Sequence, residues 1–165
     1  MKLFHELRSI HRLPPEYREW IAAAAMLSEV GDYVNRTGRH HHTHYIISHS
    51  EILGYTPQQR RVIAAIARYL GKSRPAAGDG PIKVLPPSDQ KHIAKASLIV
   101  RLGWALNLGR SGALDGIRVR IGEAAVSLVL ERKPRMSVDL ELWAVEKERG
   151  YFREVFGCDF SAAAA

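Results

Sequence analysis

The sequence predicts a mainly α domain with a small C-terminal α+β appendage, and three observations carry that reading. Apolar residues recur at three- and four-residue spacing from the first residues to about position 108. After Gly112 the period changes abruptly: Ile117, Val119 and Ile121 alternate with Arg118 and Arg120, as in a strand. After Pro134 it changes back, and Val138, Leu142, Val145, Phe152 and Phe156 share one helical stripe. The implied boundaries are a helical domain over residues 1–112, an appendage over 113–160 and a disordered alanine tail over 161–165.

Residues 2–11 read as a helix that starts abruptly, as a domain cut from a longer protein would. Pro14-Pro15 opens a second helix, proline being accepted in a first turn. Its buried stripe is expected to be Trp20, Ala23, Ala24, Leu27 and Val30, with Gly31 ending it. The small residues Ala22 to Ala25 invite another helix to approach closely. A short helix is expected over 42–50, with Tyr45, Ile46 and Ile47 buried. Thr56-Pro57 supplies a capping threonine and a first-turn proline for the next helix, whose core face is Val62, Ile63, Ile66, Ala67 and Leu70. Prolines and glycines then crowd positions 73–87, predicting a loop and the most mobile segment of the chain. A central helix over about 88–108 is apolar almost all round in its second half. Gly122-Glu123 turns a hairpin whose second strand carries Val126, Leu128 and Leu130. The last helix closes at Gly157, and a short strand over 158–160 completes a small sheet.

The charge balance narrows the partners. Twenty-four Lys and Arg against seventeen Asp and Glu give a net charge of +7. An excess of that size favours polyanionic partners: nucleic acid, polyphosphate, nucleotides or an acidic protein face. For nucleic acid only Tyr55 and Tyr69 lie near the basic residues, and no stacking platform or recognition helix stands out. The cations cluster, with Arg60, Arg61, Arg68, Lys72 and Arg74 close after a histidine-rich segment. No apolar run is long enough to span a bilayer, and no charged-then-apolar leader opens the chain. The single Cys158 cannot form an internal disulfide, which suits a reducing cytoplasm.

The chemistry-bearing segment is Arg39-His40-His41-His42-Thr43-His44, preceded by the dyad Ser28-Glu29. A metal-dependent phosphohydrolase needs several neutral imidazoles and carboxylates around an activated water. Glu29, His40, His42 and His44 are the donors this chain could offer, but serine is a poor ligand and Gly103 and Asn107 occupy the central helix where an aspartate is wanted. No metal, no cofactor and no catalytic residue is therefore expected in this chain. Anion binding without metal needs only directional donors, and Arg39, His40, His42, Arg68 and Lys72 form such a set. Arg68 and Lys72, four apart, share a helical face. Phosphate-loop and paired-cysteine motifs are absent, and Cys158 has no histidine near it in sequence. A metal-dependent phosphohydrolase built on the histidine cluster, and a purely structural interaction domain with solvated charge, stay open beside anion binding.

Several segments in order carry a resemblance: Leu-Pro-Pro-Glu-Tyr-Arg-Glu-Trp (13–20), Ala-Ala-Met-Leu-Ser-Glu-Val-Gly (24–31), Gly-Arg-His-His-His-Thr (38–43), Ser-Glu-Ile-Leu-Gly-Tyr-Thr (50–56), Ile-Ala-Arg-Tyr (66–69), Leu-Glu-Leu-Trp-Ala-Val-Glu-Lys (140–147) and Val-Phe-Gly (155–157). Together they resemble the C-terminal, HD-like helical module of the exopolyphosphatase/guanosine pentaphosphate phosphatase (Ppx/GppA) family. The resemblance implies an accessory module of a cytoplasmic hydrolase, contacting polyphosphate or mediating a homodimer. It further implies that catalysis belongs to two actin-like domains, to which nothing in this chain is similar and which would be supplied elsewhere. Members often show His-Asp or His-Glu where this chain has Ser28-Glu29, and His-Arg where it has Leu70-Gly71. His40 and His42 match the family's paired histidines.

Overall fold

The computed structural model describes residues 1–165. In chain order the elements are α1 (Lys2–Glu6), α2 (Arg8–His11), α3 (Tyr17–Leu27), a 3-10 helix (Val30–Tyr33), α4 (Arg39–His49), α5 (Pro57–Arg68), α6 (Gly80–Lys83), α7 (Pro87–Gln90), α8 (Ile93–Ala105), β1 (Leu114–Ile121), β2 (Ala125–Arg132), α9 (Asp139–Glu146), α10 (Arg149–Phe156) and β3 (Asp159–Ala164). The mainly α class with a small α+β part is what the sequence predicts. Two compact units divide the chain: Leu13–Val100, and Met1–Arg12 together with Arg101–Ala165. The N-terminal dozen residues thus group with the sheet-bearing unit and not with the helical one.

The helical unit is built on α5. Thr56 and Gln59 form a reciprocal capping box, the Thr56 side chain accepting from the Gln59 backbone and the Gln59 side chain accepting from the Thr56 backbone. From Val62 to Ala67 every residue is fully buried, so α5 is enclosed rather than amphipathic here. Each isoleucine in that run contributes about 1.5–3 kcal/mol by leaving water. α3 packs on α5. Its buried positions are Tyr17, Ile21, Ala24 and Ser28, so of the expected stripe only Ala24 is fully buried. The stripe turns because Tyr17 is anchored inward: its hydroxyl donates to the buried Asp89 carboxylate at 2.8 Å. Burial, then that bond, raises the Tyr17 pKa. Pro14 and Pro15 precede the helix, their carbonyls capturing the Tyr17 and Arg18 amides in turn geometry.

Gly31 does not end α3, which stops at Leu27. It lies buried in the 3-10 helix, its amide donating to Thr43 Oγ1 at 3.1 Å. Segment 73–87 is anchored as well as turned. Asp79 accepts from the Tyr69 hydroxyl at 2.7 Å and from the Ala76 amide, while Ile82 and Leu85 are buried. Both bonds hold the Asp79 carboxyl below its usual range. The expected central helix is shorter than 88–108, because α7 forms a separate turn before α8.

In the other unit, β1 and β2 pair antiparallel as the alternation predicts, with Ile117 opposite Leu130 and Val119 opposite Leu128. A bulge separates Leu114 from Gly116. β3 adds parallel to β2, giving the order β1-β2-β3. The strand runs through Ala164, so the alanines read as a disordered tail are paired: Ala162 faces Leu128 and Ala164 faces Leu130. Phe160 stacks on Phe152 of α10 with ring centroids 4.4 Å apart. The expected single last helix is two, α9 and α10. Its buried charges are answered: Glu141 accepts from the Gly109 amide at 2.9 Å, and Arg101 grips Glu148 through two bonds at 2.7 and 2.9 Å. Gly157, at φ 70°, ends α10 in the left-handed conformation that glycine adopts without strain.

Candidate anion-binding site

The histidine segment is helix rather than loop. Gly38 enters at φ 73°, and α4 begins at Arg39 instead of residue 42. Helical geometry then sorts its side chains by spacing of three and four. Thr43 and Ile47 face the core. Tyr45, expected to be buried with Ile46 and Ile47, is exposed, and Ile46 is only half-buried.

α4 packs on α5, and where α4 starts and α5 ends they leave a solvent-open cavity of about 410 Å³. Arg36, Arg39, Arg68 and Lys72 line it, with His40, His41 and Ser73, over Gly38, Leu70 and Gly71. Four permanent cations and two imidazoles thus surround the space, and no carboxylate lines it. Asp32 accepts from Arg39 at 3.3 Å. Arg68 donates to His41 Nε2 at 2.8 Å and lies over the Tyr69 ring at 5.5 Å. Accepting at Nε2 requires neutral His41. The Arg68 charge, followed by burial, pushes its pKa down.

His40 is the more constrained imidazole. Its ring lies flush on Gly71: a methyl group there would meet His40 Cδ2 at 2.4 Å and Nε2 at 2.6 Å. Nδ1 is buried without a partner, and Nε2 lies 3.5 Å from Arg39 Nε, at the outer limit of a hydrogen bond. Burial first, then Arg39 and Arg68, lower its pKa to about 4. His44 is also lowered, by burial and then by Arg68.

Of the five residues expected to bind an anion, Arg39, His40, Arg68 and Lys72 line the one cavity. His42 does not. His41, one position earlier on the same helix, lines it instead, while His42 Nε2 lies near Gly38 at its edge. Arg36 is the other residue missed; its place two residues before the left-handed Gly38 was the available signal.

The metal donors Glu29, His40, His42 and His44 form no group of three or more histidine, cysteine or carboxylate side chains able to hold an ion. Arg68 is close enough to depress His40, His41 and His44 together, and a permanent guanidinium among them opposes a divalent cation. Ser28 belongs to the framework: buried at the end of α3, it donates to the Ala25 carbonyl at 2.6 Å, and its own carbonyl accepts from Thr43. The donor set does not fit a phosphohydrolase metal centre.

No helix is long and apolar enough to cross a membrane. A family model described as Ppx/GppA phosphatase, domain III, matches residues 1–149, leaving β3 and all of α10 after its first residue beyond the match.

Proposed function

Given that the chain belongs to the Ppx/GppA phosphatase family, as its domain III, we propose that it is an accessory module that holds a polyphosphate chain at the α4–α5 cavity while catalysis occurs on other domains. The observation that carries this reading is the cavity wall itself: Arg36, Arg39, Arg68 and Lys72 with no carboxylate in the lining, Asp32 being paired to Arg39 from outside it. Phosphoryl oxygens are well served by guanidinium forks and an ammonium, and neutral His41, whose Nε2 accepts from Arg68, keeps one N–H to donate without needing a metal. Leu70 and Gly71 also line the space and offer no polar side chain, so the cations supply its charged contacts.

Titration with inorganic polyphosphate at low and physiological salt tests it. Arg68→Glu with Lys72→Glu should abolish binding, whereas Arg120→Glu with Arg153→Glu, the same charge change on exposed residues elsewhere, should leave it nearly intact. Equal losses from both pairs would reduce the effect to net charge and remove the site. A second reading, self-association, is favoured by Leu140 and Trp143 of α9, which are about half exposed. Sedimentation equilibrium of the wild type and Trp143→Glu decides it, and a monomer in both would dispose of it.

A further inference from the structure

We propose that the α4 surface beside the cavity binds bases of single-stranded nucleic acid whose phosphates occupy the cavity. The inference rests on the anion reading above and adds a ligand class to it. His41, Tyr45 and His49 recur every four residues and therefore form one stripe on α4. The stripe begins at the cavity, because His41 lines it, and extends about 12 Å along the helix. Tyr45 is 64% exposed, and the His49 ring stacks on it with centroids 4.3 Å apart and planes at 26°. The His49 orientation is held, since its Nδ1 donates to the Tyr45 carbonyl at 2.8 Å. The result is a preformed two-ring stack, one helical turn from a cluster of four cations, whose outer ring faces are left for a base to extend.

Inorganic polyphosphate has no group that uses such a surface. A single strand has both parts: phosphates for the cations and bases whose faces stack on tyrosine and histidine. Double-stranded nucleic acid would hide its base faces, so the geometry selects single strands. Tyr69 and Tyr55 do not contribute stacking faces: Tyr69 is buried and bonded to Asp79, and Tyr55 is half-buried and bonded to Glu19.

The test is fluorescence anisotropy on the full chain with labelled strands of about twelve nucleotides. Oligouridylate and oligoadenylate, their DNA counterparts, an abasic strand with the same phosphates, and competing inorganic polyphosphate are the probes. Tyr45→Ala should weaken both base-bearing strands about tenfold, leave the abasic strand and polyphosphate unchanged, and be rescued by Tyr45→Phe. RNA and DNA should bind alike if stacking dominates, and a preference for RNA would add a 2′-hydroxyl contact. Equal affinity of abasic and base-bearing strands, or an equal loss of all probes in Tyr45→Ala, overturns the inference while leaving the anion site standing. Failure of polyphosphate and the abasic strand to bind wild-type protein at low salt would instead bring down the anion reading and the inference with it.

Discussion

Replacing Gly31 by alanine tests how α4, and with it the cavity, is held. A Cβ at this position would lie 2.1 Å from the Arg39 carbonyl oxygen and 2.6 Å from both the backbone nitrogen and Oγ1 of Thr43. Two of those atoms are backbone, so no rotamer change relieves the contact; α4 must separate from the 3-10 helix by about 1 Å. Overpacking of this kind costs about 1–3 kcal/mol. The separation also strains two bonds, Gly31 N–H to Thr43 Oγ1 at 3.1 Å and the Thr43 hydroxyl to the Ser28 carbonyl at 3.2 Å. Thr43 and Ser28 are both buried, so water cannot replace either partner, and each loss adds about 1 kcal/mol. Gly31→Ala should therefore lose about 3–5 kcal/mol in urea unfolding followed by circular dichroism, a large share of the stability of a domain this size. It should weaken polyphosphate binding too, since Arg39 is the residue whose carbonyl is displaced. A loss below about 0.5 kcal/mol would show that the 3-10 helix yields freely and that its packing does not position α4.

Three further outcomes follow from single contacts. Gly71→Ala should destabilise by about 1–2 kcal/mol by expelling the His40 ring, and should cost almost nothing in a His40→Ala background; equal costs in both backgrounds would place the strain elsewhere. His40 titrates at about 4 in the folded protein against 6.5 ordinarily, so the unfolded chain takes up its proton first as pH falls. Its effect is absent above the ordinary value, and stability is lost as pH drops from 6.5 toward 4. Because the group is only partly buried, about 1–2 kcal/mol is expected in unfolding titrations, and His40→Asn should flatten that segment of the profile. Thr56→Ala removes the α5 capping box and should cost about 1 kcal/mol in urea midpoint analysis, with polyphosphate affinity unchanged at temperatures where the variant is folded.

Where local chemistry decides, the fold was legible in the sequence. Thr56-Pro57 specifies the start of α5 by capping, and the alternation from Ile117 to Leu130 specifies a hairpin, though its turn falls one residue later than Gly122-Glu123, with Gly122 bonded to Ala125. Illegible were features set by partners distant in sequence. The inward face of α3 follows the Tyr17–Asp89 bond across 72 positions, which no periodicity contains. Gly31 reads as a helix terminator by position, yet its role is close approach to α4. At the site, a segment read as a loop up to residue 42 gave no facing by which to separate His41 from His42, and α4 starts three residues earlier with His41 lining the cavity. Tyr45 was hidden by the same shift, its hydrophobic character suggesting core where the helix turns it to solvent.

Nuclear magnetic resonance mapping with a short inorganic polyphosphate tests the central claim most directly, because it reports where the anion sits and not only whether it binds. On titration at low salt, the backbone amides of Arg39, His40, His41, Gly71 and Lys72 should shift together and saturate with one affinity, and the Arg36 and Arg68 side-chain signals should follow them. Shifts centred instead on exposed arginines of the sheet-bearing unit, such as Arg118 and Arg120 on β1, would contradict it.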